Sequence, residues 1–340
     1  MGAKDQELSS PGVDIVITWV DGNDENWLSE KRKYSPRTNK GAENVRFRDW
    51  DNLRYWFRGV EKFAPWVRKI HFVTWGHLPP WLDTEHPKLN IVRHSGFIPE
   101  KYLPTFNSHT IELNMHRIPG LSKSFVYFND DMFITSPTKE RDFFIDKRPC
   151  DTYGLNCLYF INDSIAHING CNVEQINMNF KSVKSVMKGN KGKWYSHKNG
   201  LRNNIKTFML SSWNWFPGFH YDHLPTSYDR EIFEEVWDKC YDALDRTCSC
   251  RFRQDLNVSP WLMKYWQLCK GLSIPRKQPG QAYHITDENF SALCTDIRSG
   301  RHKLICVNDT AATTGFDEKC RAVRESFESL LPEKSGFEKN

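Results

Sequence analysis

The chain has 340 residues, enough for one large domain or two smaller ones built on a substantial core. Forty-seven Lys and Arg against 42 Asp and Glu leave a formal charge of only +5. That balance is too mild to demand a nucleic-acid partner, and it fits an anionic ligand or at most a peripheral hold on an anionic membrane surface. No apolar run approaches the roughly 20 residues of a membrane-spanning helix.

Along the chain, residues 1–12 are polar and read as a flexible N-terminus. Asp14–Val20 alternates like a strand and runs into the turn cluster Asp21-Gly22-Asn23-Asp24. Asp49–Phe63 carries Leu53, Trp56, Phe57, Val60 and Phe63 at the spacing of one helix face, and Pro65 stops it. Lys69–Trp75 and Leu89–Val92 read as strands, and Ser108–Ile118 as a helix stopped by Gly120. Ser124–Phe128 is a further strand. Strand and helix alternate, which predicts an α/β domain over residues 13–150 with a mostly parallel sheet flanked by helices. Such sheets bind ligands at the carboxyl ends of their strands.

Beyond residue 150 the periodicity weakens. Residues 151–210 read as an insertion whose stretch 180–206, rich in Lys, Asn and Gly, is a mobile basic loop. The segments after 210, with helices over Ser227–Leu244 and Phe316–Leu331, complete the same catalytic domain as a more helical second half. Ten cysteines lie between Cys150 and Cys320, a scatter that suits a reducing cytoplasm better than a disulfide framework. The spacing of Cys240, Cys248, Cys250 and Cys269 matches no standard zinc finger.

The most informative stretch is Ser124–Asp131. An apolar strand ends in Asn129, Asp130 and Asp131, and apolar character resumes at Met132. Paired carboxylates beside a core must be hydrated, paired or metal-bound, and oxygen ligands at a strand end suit Mg²⁺ or Mn²⁺ carrying a diphosphate. A polar turn closed by local hydrogen bonds is the plainer alternative. His223 is a candidate general base. Arg251-Phe252-Arg253 with Asp255 is either a phosphate clamp or a surface ion-pair network. Asn308-Asp309, after Leu304–Val307, repeats the strand-then-Asn-Asp pattern. No GxGxxG, Walker A, GxSxG or HExxH motif is present.

Taken in order, four blocks resemble the Stealth family of sugar-phosphate transferases, which includes bacterial capsule enzymes and the animal enzyme that begins mannose 6-phosphate tagging. The first is Asp14–Gly22. The second holds Arg46–Asp49, Leu53-Arg54-Tyr55, Ala64–Val67, Leu103–His109, His116–Leu121 and Phe128–Asp131. The third holds His223-Leu224-Pro225, Asp229-Arg230 and Arg251–Arg253, and the fourth Val307–Asp309 with Pro332–Ser335 and Phe337-Glu338.

The resemblance implies a nucleotide-sugar-transferase-like fold. It also implies transfer of hexose 1-phosphate from a nucleotide sugar, usually a UDP-hexose, to a hydroxyl of a glycan acceptor, with release of UMP. Residue by residue, it makes Asp131, His223, Arg251 and Asp309 catalytic, with Arg251 preferred to Arg253 on its distance to Asp255. Asp130 and Asp131 would hold the metal. The loop Trp19, Val20, Asp21, Gly22 matches the nucleotide-binding loop, and Asp14, Asp49, Arg54, Asn107, His109, Asn129 and Arg230 are the further substrate-binding positions. The implied compartment is the cytoplasm or the inner face of its membrane. Two other classes remain: a metal-dependent glycosyltransferase that releases UDP, and a non-catalytic carbohydrate-binding protein suggested by the 13 Trp.

Overall fold

Alternating side chains on the first strand, β1 (Asp14–Thr18), divide the core: Ile15 and Ile17 pack into one apolar cluster and Val16 into another on the opposite face. The structure is a computed structural model, and it describes residues 12–35, 48–160, 164–309 and 313–339. Except for Gly12, the expected flexible N-terminus lies outside those residues.

The central sheet has five strands. β2 (Ile70–Thr74), β3 (Leu89–Arg93) and β4 (Ser124–Asn129) join β1 in the spatial order β3-β2-β1-β4, all parallel, and the strand Thr226–Asp229 adds antiparallel at the β4 edge. The register pairs Thr18 with both Val73 and Asn129, so the three central strands end together and their loops share one edge. Helices α1 (Glu25–Tyr34), α2 (Leu53–Phe63) and α3 (Ser108–Leu113) connect them. The α/β architecture expected from the sequence is the one observed.

After β4 the chain turns through Asp130 and Asp131 into β5 (Met132–Ile134), which leaves the first sheet for a second one. There β5 lies antiparallel to the strand Leu304–Asn308, whose other neighbour is Gly280–His284. Gly59 lets α2 press on β5, because a Cβ there would stand 2.5 Å from the Ile134 carbonyl oxygen.

Four expectations are corrected. The helix expected from Asp49 begins at Leu53, because the Asp49 carboxylate accepts the Asp51 amide (2.7 Å) and Asp51 takes φ +50°. The helix expected over Ser108–Ile118 stops at Leu113, followed by a 3₁₀ turn over Met115–Arg117. The helix expected over Ser227–Leu244 opens as the edge strand Thr226–Asp229. Asp229 then caps α8 (Arg230–Lys239), which Cys240 separates from α9 (Tyr241–Ser249).

Residues 180–206 are helical rather than a loop. After α4 (Ser164–Asn179) come α5 (Val183–Lys188), α6 (Lys191–Trp194) and α7 (Leu201–Leu210). Val183, Met187 and Trp194 are the buried anchors that the count of lysines conceals. The helices α10 (Trp261–Cys269), α11 (Asp287–Ser299) and α12 (Phe316–Leu330) complete the fold.

Candidate active site

A cavity of about 330 Å³ opens at the carboxyl edge of the central sheet. Three strand ends of that edge reach it, Trp19-Val20 after β1, His94 after β3 and Asn129–Asp131 after β4, and Asn308-Asp309 comes to it from the second sheet. The two Asn-Asp strand ends therefore converge. They are held together by the Val307 amide, which donates to the Asp131 carbonyl (2.8 Å).

Asp131 is the centre of the site. Its Oδ2 lies 3.4 Å from Cys306 Sγ and 3.6 Å from His223 Nε2, the second distance being longer than a hydrogen bond. Its Oδ1 is buried with no hydrogen-bond partner. Burial by itself would lower the His223 imidazole, but the Asp131 carboxylate outweighs it and raises the pKa above its ordinary value. The Cys306 thiol, buried and beside Asp131, is pushed well up and stays protonated.

Asp130 is exposed at the cavity but surrounded by protein on its other sides. That surround, with the charges of Asp131 and Asp49, pushes its carboxyl up to about 8. Asp49 is likewise raised, by burial first and then by the Asp51 and Asp21 carboxylates. Three carboxyl groups thus line one cavity, the charges of two of them bear on Asp130, and Asp131 keeps an orphaned oxygen. Among the described residues, the side-chain atoms that gather within 4.8 Å of one another as ligands for a metal are those of Asp131, His223 and Cys306, and Asp130 is not among them. In that group Cys306 is a soft and protonated ligand that hard cations do not select, which leaves Asp131 as its oxygen ligand.

Positive charge enters from two sides. Arg48 grips Asp309 through two hydrogen bonds of 2.9 and 2.8 Å, and both residues line the cavity. Arg253 also lines it and donates to Ser108 Oγ (2.6 Å). Arg251 is elsewhere: its guanidinium donates to the Pro104 carbonyl (2.7 Å) and lies over the Tyr34 ring at 4.6 Å. The choice of Arg251 over Arg253 is therefore reversed by geometry, since side chains two apart in an irregular segment point in different directions.

Behind the cavity wall runs a buried polar chain. His109 Nδ1 meets Glu112 Oε2 (3.1 Å), and the Tyr127 hydroxyl lies 3.2 Å from Glu112 Oε1 and 2.6 Å from Asn129 Oδ1. Burial would raise Glu112, but the His109 hydrogen bond and charge hold it below the usual carboxylate range. His109 thus positions Asn129 from behind and does not line the cavity. Asn107, wholly buried, caps α3 and donates to Asn257 Oδ1 (3.0 Å).

The nucleotide-loop residues separate as well. Trp19, stacked on Phe72, and Val20 line the cavity. Asp21 turns away, its amide donating to His77 Nε2 (2.7 Å), and Gly22 completes the turn before the Asp24 cap of α1.

Besides Asp21, Gly22, Asn107 and His109, three more of the expected substrate-binding residues lie outside the cavity lining. Asp14 is buried at the opposite edge, hydrogen-bonded to Arg68, His71 and the Ser122 amide. Arg230 donates to the Leu121 carbonyl (3.0 Å), also at that edge. Arg54 stacks over Trp81 at 5.7 Å.

Residues 11–38 match Stealth protein CR1, conserved region 1, and residues 46–151 match Stealth protein CR2, conserved region 2. A capsular polysaccharide phosphotransferase WcwK of Streptococcus pneumoniae is 39% identical over 96% of this chain and 98% of its own length. The chain belongs to the Stealth family. An exopolysaccharide phosphotransferase cps2G of Lactiplantibacillus plantarum is 38% identical over 96% of each chain. A receptor polysaccharide phosphotransferase WefC of Streptococcus gordonii is 36% identical over 96% of this chain and 98% of its own.

Within the Stealth regions matched here lie Trp19, Val20, Asp49 and Asn129–Asp131, all cavity residues. His223, Arg253 and Asp309 join them from beyond residue 151 through folding alone. Sequence reasoning left Arg48, Glu112 and Arg253 off the list of site residues. Arg48 stood inside the quoted Arg46–Asp49 block, but its partner Asp309 is 261 residues away, so no local pattern marks the pair.

Proposed function

We propose that this protein transfers hexose 1-phosphate from a nucleotide sugar, a UDP-hexose or UDP-N-acetylhexosamine, to a hydroxyl of a glycan acceptor during capsule or cell-surface polysaccharide synthesis. The observation that carries this reading is the facing of charges in one cavity. Asp49, Asp130 and Asp131 form the acidic side, with His223 against Asp131, while Arg48 and Arg253 supply the cationic side. Phosphoryl transfer calls for this arrangement, because positioning and charge stabilisation supply most of its catalysis.

Mg²⁺ or Mn²⁺ held by Asp130 and Asp131 would supply neutralisation of the donor diphosphate. Arg253 binds the transferred phosphate. The acceptor oxygen forms a bond to the β-phosphorus, the bond from that phosphorus to the bridging oxygen breaks, and UMP leaves with the electron pair. The hydroxyl proton passes to His223 Nε2, where Asp131 stabilises the imidazolium that results. The sugar C1–O bond stays intact. Among the described residues no helix is long and apolar enough to cross a membrane. In this reading the enzyme works in the cytoplasm, at the inner face of the membrane.

The test is to incubate the purified protein with a panel of UDP-sugars and an acceptor glycan and to identify the products. UMP and a phosphodiester signal in phosphorus NMR are expected. Recovery of UDP with a phosphate-free glycan would replace this reading with glycosyl transfer. Calorimetric titration with Mn²⁺ should show one site that Asp130→Asn and Asp131→Asn each remove; unchanged binding in both variants would take the cation off these carboxylates.

A further inference from the structure

Helix α7 is packed inside out. Its one buried residue is Thr207, whose hydroxyl accepts the Leu155 amide (3.0 Å). The amides of Asn203 and Asn204 donate to the Asn199 and Ser196 carbonyls (3.1 and 3.0 Å). Leu201, Ile205, Phe208 and Met209, spaced as one face of a helix, are instead exposed by 77, 52, 72 and 67%. A helix of a water-soluble domain turns such a stripe toward the core.

The exposure continues around α7. Trp213 and Trp215 follow it, and Trp215 shares a shallow groove with Phe160 and Met178. Nine of the twelve large apolar side chains that stand exposed among the described residues fall between Tyr159 and Trp215. Singly exposed apolar residues are ordinary, but this concentration on one segment marks a contact surface.

Charge selects the partner. Between Glu174 and Asp222 the chain has eight Lys and Arg and no Asp or Glu, against +5 for the whole chain, so the remainder is net negative. Lys181 and Arg202, both exposed, sit in sequence beside the apolar residues of the surface. Glu174 is the one acidic residue lining that groove, and an outward apolar helix face, exposed tryptophans and a basic stretch of chain are the features of an element that lies in a lipid interface. A glycan calls for no such combination, and a symmetric dimer through this face would set two basic stretches against each other.

We propose that α7 and the Trp213–Trp215 turn dock on an anionic lipid bilayer, the apolar stripe entering the headgroup boundary and the basic residues meeting lipid phosphates. Seven residues lie between Trp215 and His223, a tether of at most ~29 Å when extended, so docking keeps the cavity close to the bilayer surface. The proposal specifies the membrane surface of the function proposed above but does not depend on the reaction catalysed.

Co-sedimentation of the full chain with phosphatidylcholine vesicles, with and without phosphatidylglycerol, tests it without any substrate. Binding to the anionic vesicles is expected, weakening as salt rises. Phe208→Glu combined with Trp213→Glu should weaken it at least about tenfold. Lys181→Glu combined with Arg202→Glu should cost about fivefold per charge removed. All these side chains are exposed, so both variants should keep the wild-type melting temperature. Failure of the wild-type protein to sediment with anionic vesicles would overturn the proposal, as would wild-type binding by the Phe208/Trp213 variant. So would a dimer in vesicle-free sedimentation velocity that the same variant abolishes, since a second copy would then cover this face. Production of UDP in the transfer assay would leave the vesicle result standing.

Discussion

The two edges of the central sheet each place aspartate at strand ends, with opposite consequences. At the amino edge, Asp14 accepts from Arg68, His71 and the Ser122 amide. Burial would raise its pKa, and those bonds reverse the effect and hold it below the usual carboxylate range. At the carboxyl edge, Asp131 keeps a buried oxygen without a partner, and Asp130 is pushed up to about 8 by its surround and by neighbouring carboxylates. A satisfied carboxylate is part of the scaffold, and an unsatisfied cluster of them is poised for a cation or a charged substrate. Which edge a residue occupies, rather than its type, separates the two roles.

The sharpest way to break this comparison is to remove one aspartate from each edge. Asp131→Asn should lower turnover about 10³-fold, the scale of losing a group that organises transition-state charge, while the melting temperature moves by only a few degrees. A loss below tenfold, measured as nucleotide product released at saturating donor, would place the chemistry elsewhere.

The arginine pair sharpens the comparison inside a single segment. Arg253→Ala should reduce kcat about a hundredfold, whereas Arg251→Ala, which loses a carbonyl and a ring contact outside the cavity, should stay within tenfold. Equal losses from both substitutions would mean that Arg251 reaches the substrate after all.

Asp14→Ala should do the reverse of Asp131→Asn. Removing it leaves Arg68 and His71 without their shared acceptor, which should cost about 3 kcal/mol of stability in urea unfolding with kcat nearly unchanged. Because folding lowers the Asp14 pKa, its contribution is present above the unfolded value of 3.8 and is lost as pH falls below it. The acid side of the stability curve should therefore be shallower in Asp14→Ala than in the wild type. A variant that unfolds with the same acid slope would remove Asp14 from that account.

The smallest effect is expected from Arg54→Ala. This guanidinium lies over Trp81 away from the cavity, so turnover should change less than threefold and stability by ~1 kcal/mol or less.

Much of this molecule was legible in advance where the signal is local. Ile15, Val16 and Ile17 alternate as a strand must, Leu53 to Phe63 keep helical spacing, and an apolar run that stops in Asn129-Asp130-Asp131 marks a ligand edge. The second half was harder to read. Ser227 sits in a short edge strand because β4 offers it an antiparallel partner, which no property of Thr226–Asp229 announces. The lysines of 180–206 suggested a loop, yet Val183, Met187 and Trp194 suffice to pin its helices.

By itself the sequence determined the alternating α/β order, the acidic turn and the Stealth blocks, because each is written in neighbouring residues whose periodicity and chemistry act over a few ångströms. Only the tertiary structure decided which polar residues became a site. Asp14 and Arg230 went to the wrong edge because strand direction, set by pairing with distant partners, determines which end of a strand meets the ligand. Arg253 rather than Arg251, and Arg48 against Asp309, were chosen by the packing of segments far apart in sequence, where the cost of burying an unpaired charge permits few arrangements.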